Sequence, residues 1–252
     1  MSGAQSVLDV SIEVFCQRVT RALKEQPSSR EGHTLPKGFQ SDTKRCRMSP
    51  RLAYGRHRGP APDGARQAAV LIAVYRSRQT DQLCLTLTRR PMTLSHHAGQ
   101  ICLPGGQIDP GETPAEAALR EFREELGVSP PSTRPLGELP STFVFASENV
   151  VKPFLVAGPA PESPWRPDPV EVDEVIEMPL EALFVSPTQL GEGTMPFGWR
   201  LGSRQGHRAA DGTPAGYRFR YPALAFTDTN GQRREFWGAT AMILERFAAV
   251  LA

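Results

Sequence analysis

Cysteine is scarce in this chain. The four cysteines, Cys16, Cys46, Cys84 and Cys102, are far apart and form no C-x-x-C pair, which argues against a disulfide framework or a zinc knuckle and for reduced thiols. No apolar run is long enough to span a bilayer, so no membrane partner is expected. Excess charge is absent too: the formal net charge is +2, which excludes both a polybasic nucleic-acid binder and an acidic tail protein. Asp9 and Glu13 interrupt the N-terminal apolar pattern, which suits neither a secretory signal nor an acid-poor transit peptide. The final residues Val250-Leu251-Ala252 are not a peroxisomal address, and the expected compartment is the cytoplasm.

Leu8, Ile12, Phe15, Val19 and Leu23 recur at helical spacing, predicting an amphipathic helix over roughly residues 6 to 25. Its apolar stripe needs burial, on its own domain, on a partner or in a homodimer, so monomer and homodimer are both expected possibilities. From about Gln26 to Arg66 the chain is rich in Pro, Gly, Ser and basic residues and reads as a linker. The expected organisation is therefore an N-terminal helix and linker over 1–66 and a larger folded domain over 67–252.

Within the second part, AAVLIAVYR from Ala68 has the texture of a buried strand. Leu83, Leu85 and Leu87 alternate with Cys84, Thr86 and Thr88, predicting a half-buried strand. Further strands are expected near Val150–Val156, Glu174–Met178, Tyr217–Phe226 and Arg233–Trp237, with a long loop from Ser186 to Gly216. GATAMILERFAAVLA closes the chain as a helix with Ile243, Phe247, Val250 and Leu251 on one face. Strands mixed with a few helices indicate an α+β sandwich.

The most informative stretch is GGQIDPGETPAEAALREFREELGV, from Gly105 to Val128. Thr113-Pro114-Ala115-Glu116 is a capping box with proline at the first helical position, and Gly127 suits a left-handed stop. Ala115, Ala118, Leu119, Phe122 and Leu126 share one face; at 100° per residue Glu121 and Glu125 sit together on its edge, and Glu124 lies further round, one turn from Arg120. A Glu-rich helix is most simply a solvated one. Here the like charges at Glu121 and Glu125 cost on the order of a few tenths of a kcal/mol unless a cation separates them. Pro104-Gly105-Gly106, read as a turn, can bring backbone groups close to a ligand. Hard oxygen ligands of this kind suit Mg²⁺ or Mn²⁺ together with substrate phosphates.

Gly106, Glu112 and Arg120-Glu121-Phe122-Arg123-Glu124-Glu125-Leu126-Gly127-Val128 resemble the Nudix box, G-x5-E-x7-R-E-U-x-E-E-x-G-U, with every fixed position filled. Phe122 stands where an aliphatic residue is more usual. The resemblance implies a Nudix α/β/α sandwich with a mixed central sheet, and metal-assisted cleavage of a nucleoside diphosphate linked to another moiety. It implies metal ligation by Glu121, Glu125 and Glu124 and by the Gly105 carbonyl, and an ion pair between Arg120 and Glu112 that orients the catalytic loop.

The lead-in LTLTRRPMTLSHHAGQICLPGG is similar to that of the coenzyme A diphosphatase branch, matching it at Leu87, Thr88, Arg90, Gly99, Pro104, Gly105 and Gly106. Pro91, Ser95 and Leu103 depart from it, Ser95 standing in place of an arginine. NVVKPFLVAG, EVDEVIEMPLEALF and EFWGATAMIL also look like their counterparts there. The resemblance thus implies hydrolysis of coenzyme A or its thioesters to 4′-phosphopantetheine, or its acyl form, and adenosine 3′,5′-bisphosphate. Another Nudix specificity (ADP-ribose, NADH or a dinucleoside polyphosphate) is the alternative, and a non-catalytic nucleotide-binding module is a third reading.

Candidate substrate-binding residues are Arg89, Arg90, His97, Gly105, Gly106 and Lys152. His96 and His97 read equally as loop histidines, and Lys152 as a surface residue. Trp237 fits core packing better than base stacking. Glu174 and Glu177 are candidates for the general base, or else exposed strand residues.

Overall fold

The computed structural model describes residues 10–25, 61–94, 97–144, 147–184, 192–197 and 217–251. Helix α1 (Ile12–Glu25) begins later than the periodicity suggests, because Ser11 takes the capping position: its hydroxyl accepts from the Val14 N–H at 3.4 Å and its carbonyl from the Phe15 N–H at 3.0 Å. Leu8, placed in that helix by the periodicity, lies outside the described residues, as does the linker from 26 to 60.

The centre is a mixed sheet. Strand β1 (Arg66–Arg76) runs parallel to β7 (Asn149–Ala157), with Leu71 opposite Phe154, and antiparallel to β2 (Leu83–Arg89) and β4 (Gly105–Gln107) on its other edge. Strand β2 in turn pairs with β3 (Ile101–Cys102) and β8 (Glu174–Pro179), while β5 (Gly137–Glu138) and β6 (Thr142–Val144) pair with β7. A 3-10 turn follows at Leu180–Phe184. A second sheet orders β11 (Arg233–Trp237), β10 (Tyr217–Thr227) and β9 (Glu192–Phe197).

Pleat alternation divides the core in two. Ala69, Leu71 and Ala73 face one side with Phe154 and Val156, packing against Ala117, Ala118, Leu119, Phe122 and Leu126 of helix α2 (Pro114–Leu126). Ile72 and Val74 face the other with Leu85, Leu87, Leu155, Ile176 and Met178. There they meet Phe15 and Val19 of α1 and Ile243, Leu244 and Phe247 of α3 (Gly238–Leu251). Helices cover both faces, which is the expected α/β/α sandwich. Helix α1 buries its stripe on this same core, so it is packed as part of the domain it precedes.

Three expectations are corrected. Strand β2 is buried on both faces rather than half-buried, since Cys84, Thr86 and Thr88 are covered and the Thr86 hydroxyl donates to Tyr75 Oη at 3.2 Å. The span expected to be a loop from Ser186 to Gly216 contains β9, whose Phe197 stands opposite Tyr217; pairing across a long connection leaves no local periodic signal. The supposed turn Pro104-Gly105-Gly106 runs into strand β4, with Val70 opposite Gly105. Among the described residues no helix is long and apolar enough to cross a membrane.

Candidate metal and diphosphate site

Helix α2 is built as its sequence dictates. The Thr113 hydroxyl accepts from the Glu116 N–H at 3.3 Å, the Glu116 carboxylate accepts from the Thr113 N–H at 2.8 Å, and Gly127 caps the end at φ 63°. Only glycine fits there: a Cβ at Gly127 would stand 2.2 Å from the Arg166 carbonyl oxygen. That contact marks where the segment before β8 crosses the helix end. The Arg166 N–H donates to the Leu126 carbonyl and the Asp168 N–H to the Glu125 carbonyl, each at 3.0 Å, satisfying carbonyls that a helix C-terminus leaves without partners.

The crossing delivers Glu171. A carboxylate oxygen from each of Glu121, Glu125 and Glu171 lies within 4.8 Å of the others, the former two on α2 and the third on the loop. Glu125 is 3% exposed, whereas Glu171 is open to solvent. Burial, then the Glu121 charge, pushes the Glu125 carboxyl up to about 8; Glu171 adds to the rise, and the Gly105 N–H and the Arg90 charge oppose it. Burial likewise raises Glu121 against the pull of Arg120. Three close carboxylates, one of them buried, are an arrangement that a divalent cation would relieve.

The glycines under the cluster permit this approach. The Gly105 N–H donates to Glu125 Oε2 at 3.3 Å, and a Cβ at Gly105 would lie 2.2 Å from the Ala69 carbonyl oxygen. At Gly106 a Cβ would meet the Glu121 carboxylate at 2.4 Å. Arg120 holds the segment from below: Nε and Nη2 donate to the two Glu112 oxygens at 2.9 and 3.0 Å, Nη2 to the Gln107 carbonyl at 3.1 Å, and Nη1 to Glu121 at 3.0 Å and Glu124 at 2.8 Å. The hydrogen bonds from Arg120 hold the Glu112 carboxyl below its ordinary value.

The remaining expected residues are distributed unevenly. Glu124 lies against Arg120 with its side chain 59% exposed, outside the three-carboxylate group. Arg90 comes near Glu125 and Cys102 with its Nε buried and without a hydrogen-bond partner. Lys152 stands opposite Ala69, itself opposite Gly106, on the face that carries α2; it is two strand spacings, roughly 10 Å, from Gly106. His97 is exposed at φ 57° with Nδ1 2.9 Å from Gln100 Oε1. Ser95 and His96 lie outside the described residues.

Arg89 and the two candidate bases lie apart from the carboxylate group. Arg89 shares the pleat of Leu85 and Leu87, on the face opposite α2, and its guanidinium is held by Asp173 at 2.8 Å and Glu174 at 3.1 Å. Glu174 faces the same way and also pairs with Arg234. Glu177 is on the α2 face, but its carboxylate accepts from Tyr75 Oη at 3.0 Å, Ser77 Oγ at 2.7 Å and Thr229 Oγ1 at 3.3 Å. Neither base candidate joins the carboxylate group. Glu171, which does, opens the same EVDEVIEMPLEALF segment, but nothing local in the sequence distinguishes it from its neighbours. Trp237 is a half-buried residue at the end of β11.

A family model described as the NUDIX domain matches residues 65–196. Proteins described as "Uncharacterized Nudix hydrolase NudL" from Salmonella newport and Salmonella agona are each 40% identical over 116 residues, covering 46% of this chain and 58% of theirs. The chain thus spans somewhat over half the length of these curated relatives. A crystal structure of a MutT/nudix family protein from Enterococcus faecalis is 19% identical with a TM-score of 0.40, covering 58% of this chain and 57% of that one. An Ap4A hydrolase complex from C. elegans is 22% identical with a TM-score of 0.36, covering 45% and 80%.

Proposed function

The chain belongs to the Nudix family, and from that premise we propose that it hydrolyses the diphosphate linkage of coenzyme A or its thioesters. The observation that carries the reading is the group formed by Glu121, Glu125 and Glu171 above the Gly105-Gly106 strand. The donor set fits Mg²⁺ or Mn²⁺, being all hard carboxylate oxygen, with the Glu125 carboxyl raised first by burial and then by the Glu121 charge. Glu121, Glu125 and Glu171 would hold the ion, with Glu124 and the Gly105 carbonyl as the further donors that the family pattern implies. A divalent ion bound there supplies charge neutralisation for the diphosphate and a lowered pKa for an attacking water.

The protein's own groups do the rest. Arg120 fixes Glu112 and Glu121 and so the approach of the Gly105–Gln107 strand to the helix. Arg90 and Lys152 contribute positive charge on the substrate side, with Gly106 leaving space beside Glu121. The proton released by the attacking water passes to a carboxylate of the group. Coenzyme A as substrate is supported by the lead-in residues Leu87, Thr88, Arg90, Gly99 and Pro104.

Another nucleoside diphosphate derivative is favoured by one observation: Asp173 and Glu174 occupy Arg89, removing it from the cations offered to substrate. Product analysis with Mg²⁺ on coenzyme A, an acyl-coenzyme A, ADP-ribose, NADH and a dinucleoside polyphosphate separates the two. Adenosine 3′,5′-bisphosphate from coenzyme A or the acyl-coenzyme A, at a kcat/KM above those for ADP-ribose, NADH and the dinucleoside polyphosphate, is the expected result. Turnover confined to ADP-ribose, NADH or the dinucleotide would refute it.

A further inference from the structure

Resting on the reading above, we propose that Arg89 is a positioning residue: with Arg234 it clamps Asp173 and Glu174, and so holds Glu171 against Glu121 and Glu125 from the opposite face of the sheet. Glu171 sits on a loop fixed at two ends. On the α2 side, Arg166 and Asp168 donate to the last carbonyls of the helix. On the strand side, the Asp173 N–H donates to the Arg89 carbonyl at 2.8 Å while Arg89 Nε donates to Asp173 Oδ2 at 2.9 Å. One residue, Val172, separates this double anchor from Glu171, and it is buried. Within the loop the Glu171 and Val172 N–H groups both donate to the Asp168 carbonyl, at 3.1 and 2.8 Å, closing a turn between the anchors.

The clamp continues into a part of the chain beyond the matched residues 65–196. Glu174 bridges Arg89 and Arg234: Arg89 Nη2 reaches it at 3.1 Å and Arg234 Nη1 donates to Oε2 at 2.9 Å. Arg234 Nε donates to Asp228 Oδ2 at 2.8 Å, and the Asp228 side chain, fully buried, also accepts from the Asn230 and Gln232 N–H groups at 2.9 and 2.8 Å. Two arginines alternate with the carboxylates of Asp173, Glu174 and Asp228, so each charge has an opposite neighbour. The β10–β11 hairpin is thereby fastened to the start of β8, and the start of β8 sets where the Glu171 loop ends. The Arg89 side chain leaves the sheet away from the Glu121, Glu125 and Glu171 group, and this chain of contacts connects it to them.

Arg89→Met keeps length and removes charge at a side chain 38% exposed, so it tests the clamp with less risk to folding than a change at Arg234. Deuterium exchange of metal-free protein is expected to quicken at residues 166–173 in Arg89→Met while α2 stays protected. Mn²⁺ affinity, read by electron paramagnetic resonance, is expected to fall about 10-fold, and kcat with it, at little changed KM. Arg89→Lys restores part of both, and Arg89→Met adds nothing further in a Glu171→Gln background. A rise in KM with exchange and Mn²⁺ affinity unchanged would overturn the proposal in favour of direct substrate contact. Unchanged Mn²⁺ affinity in Glu171→Gln beside a loss in Glu125→Gln would also overturn it, while leaving the carboxylate helix as the metal site. Loss of affinity in none of the three variants would instead remove the metal reading itself.

Discussion

The Asp168 N–H donates to the Glu125 carbonyl at 3.0 Å, tying the loop that carries Glu171 to the helix that carries the other two carboxylates. The bond does two things at once. It satisfies a helix-terminal carbonyl, and it sets the distance from which a third acidic side chain reaches the group.

Glu121→Gln and Glu125→Gln are each expected to lower kcat roughly 100-fold or more. The Glu125 variant should hold the melting temperature of the metal-free protein near neutral pH and raise it above pH 8, because a neutral amide replaces a buried carboxyl whose ionisation the fold disfavours. Steady-state kinetics with Mg²⁺ and thermal melts check both. Near wild-type turnover in either variant would end the metal assignment.

Glu171 and Glu124 should differ in how much each contributes to metal binding. Glu171→Gln is expected to weaken Mn²⁺ binding about 10-fold, and Glu124→Gln less, since Glu124 lies exposed on Arg120. Isothermal titration of the two variants decides between them, and a larger loss at Glu124 would return the third ligand to the helix.

The metal-free protein should become less stable as pH rises. The Glu125 carboxyl is raised in the folded state from 4.5 to about 8, so folding favours its protonated form. That stability is fully present below the unfolded value and is lost as pH climbs through about 8, amounting to on the order of a few kcal/mol. Melting curves from pH 5 to 8 should show the decline, and Glu125→Gln should flatten it. Cation binding near pH 7 should release a proton, seen as buffer-dependent heats in calorimetry. A pH-independent melt would refute the burial account.

Adjacent glycines should fail differently. A Cβ at Gly106 meets the movable Glu121 carboxylate at 2.4 Å, so Gly106→Ala should fold normally yet bind Mn²⁺ weakly. A Cβ at Gly105 meets the Ala69 carbonyl oxygen at 2.2 Å, with φ at 148°, so Gly105→Ala should lose about 1 to 3 kcal/mol of stability. Denaturant melts and Mn²⁺ titrations of the pair test this, and equal stability loss in both would count against it.

The carboxylate helix was legible because its determinants are local. The capping box, the Gly127 stop and the spacing of Phe122, Leu126, Glu121 and Glu125 all act within a few residues of chain. Short apolar runs marked the strands, while the mixed sheet and the Arg120–Glu112 pair came from the family pattern. What stayed hidden depends on contacts between distant segments. Glu171 looks like any loop acid until Asp168 and Arg166 dock on the helix end, and β9 has no periodicity of its own until it pairs with β10. Arg89 and Arg90 are adjacent basic residues in the sequence. By itself the sequence determined a capped, acid-edged helix behind a glycine strand and the chemistry such a helix serves. Tertiary structure alone decided which acid joins Glu121 and Glu125, and sent Arg89 and Arg90 to opposite faces, because strand pleating alternates direction at each residue and only the packed sheet says what lies on either side.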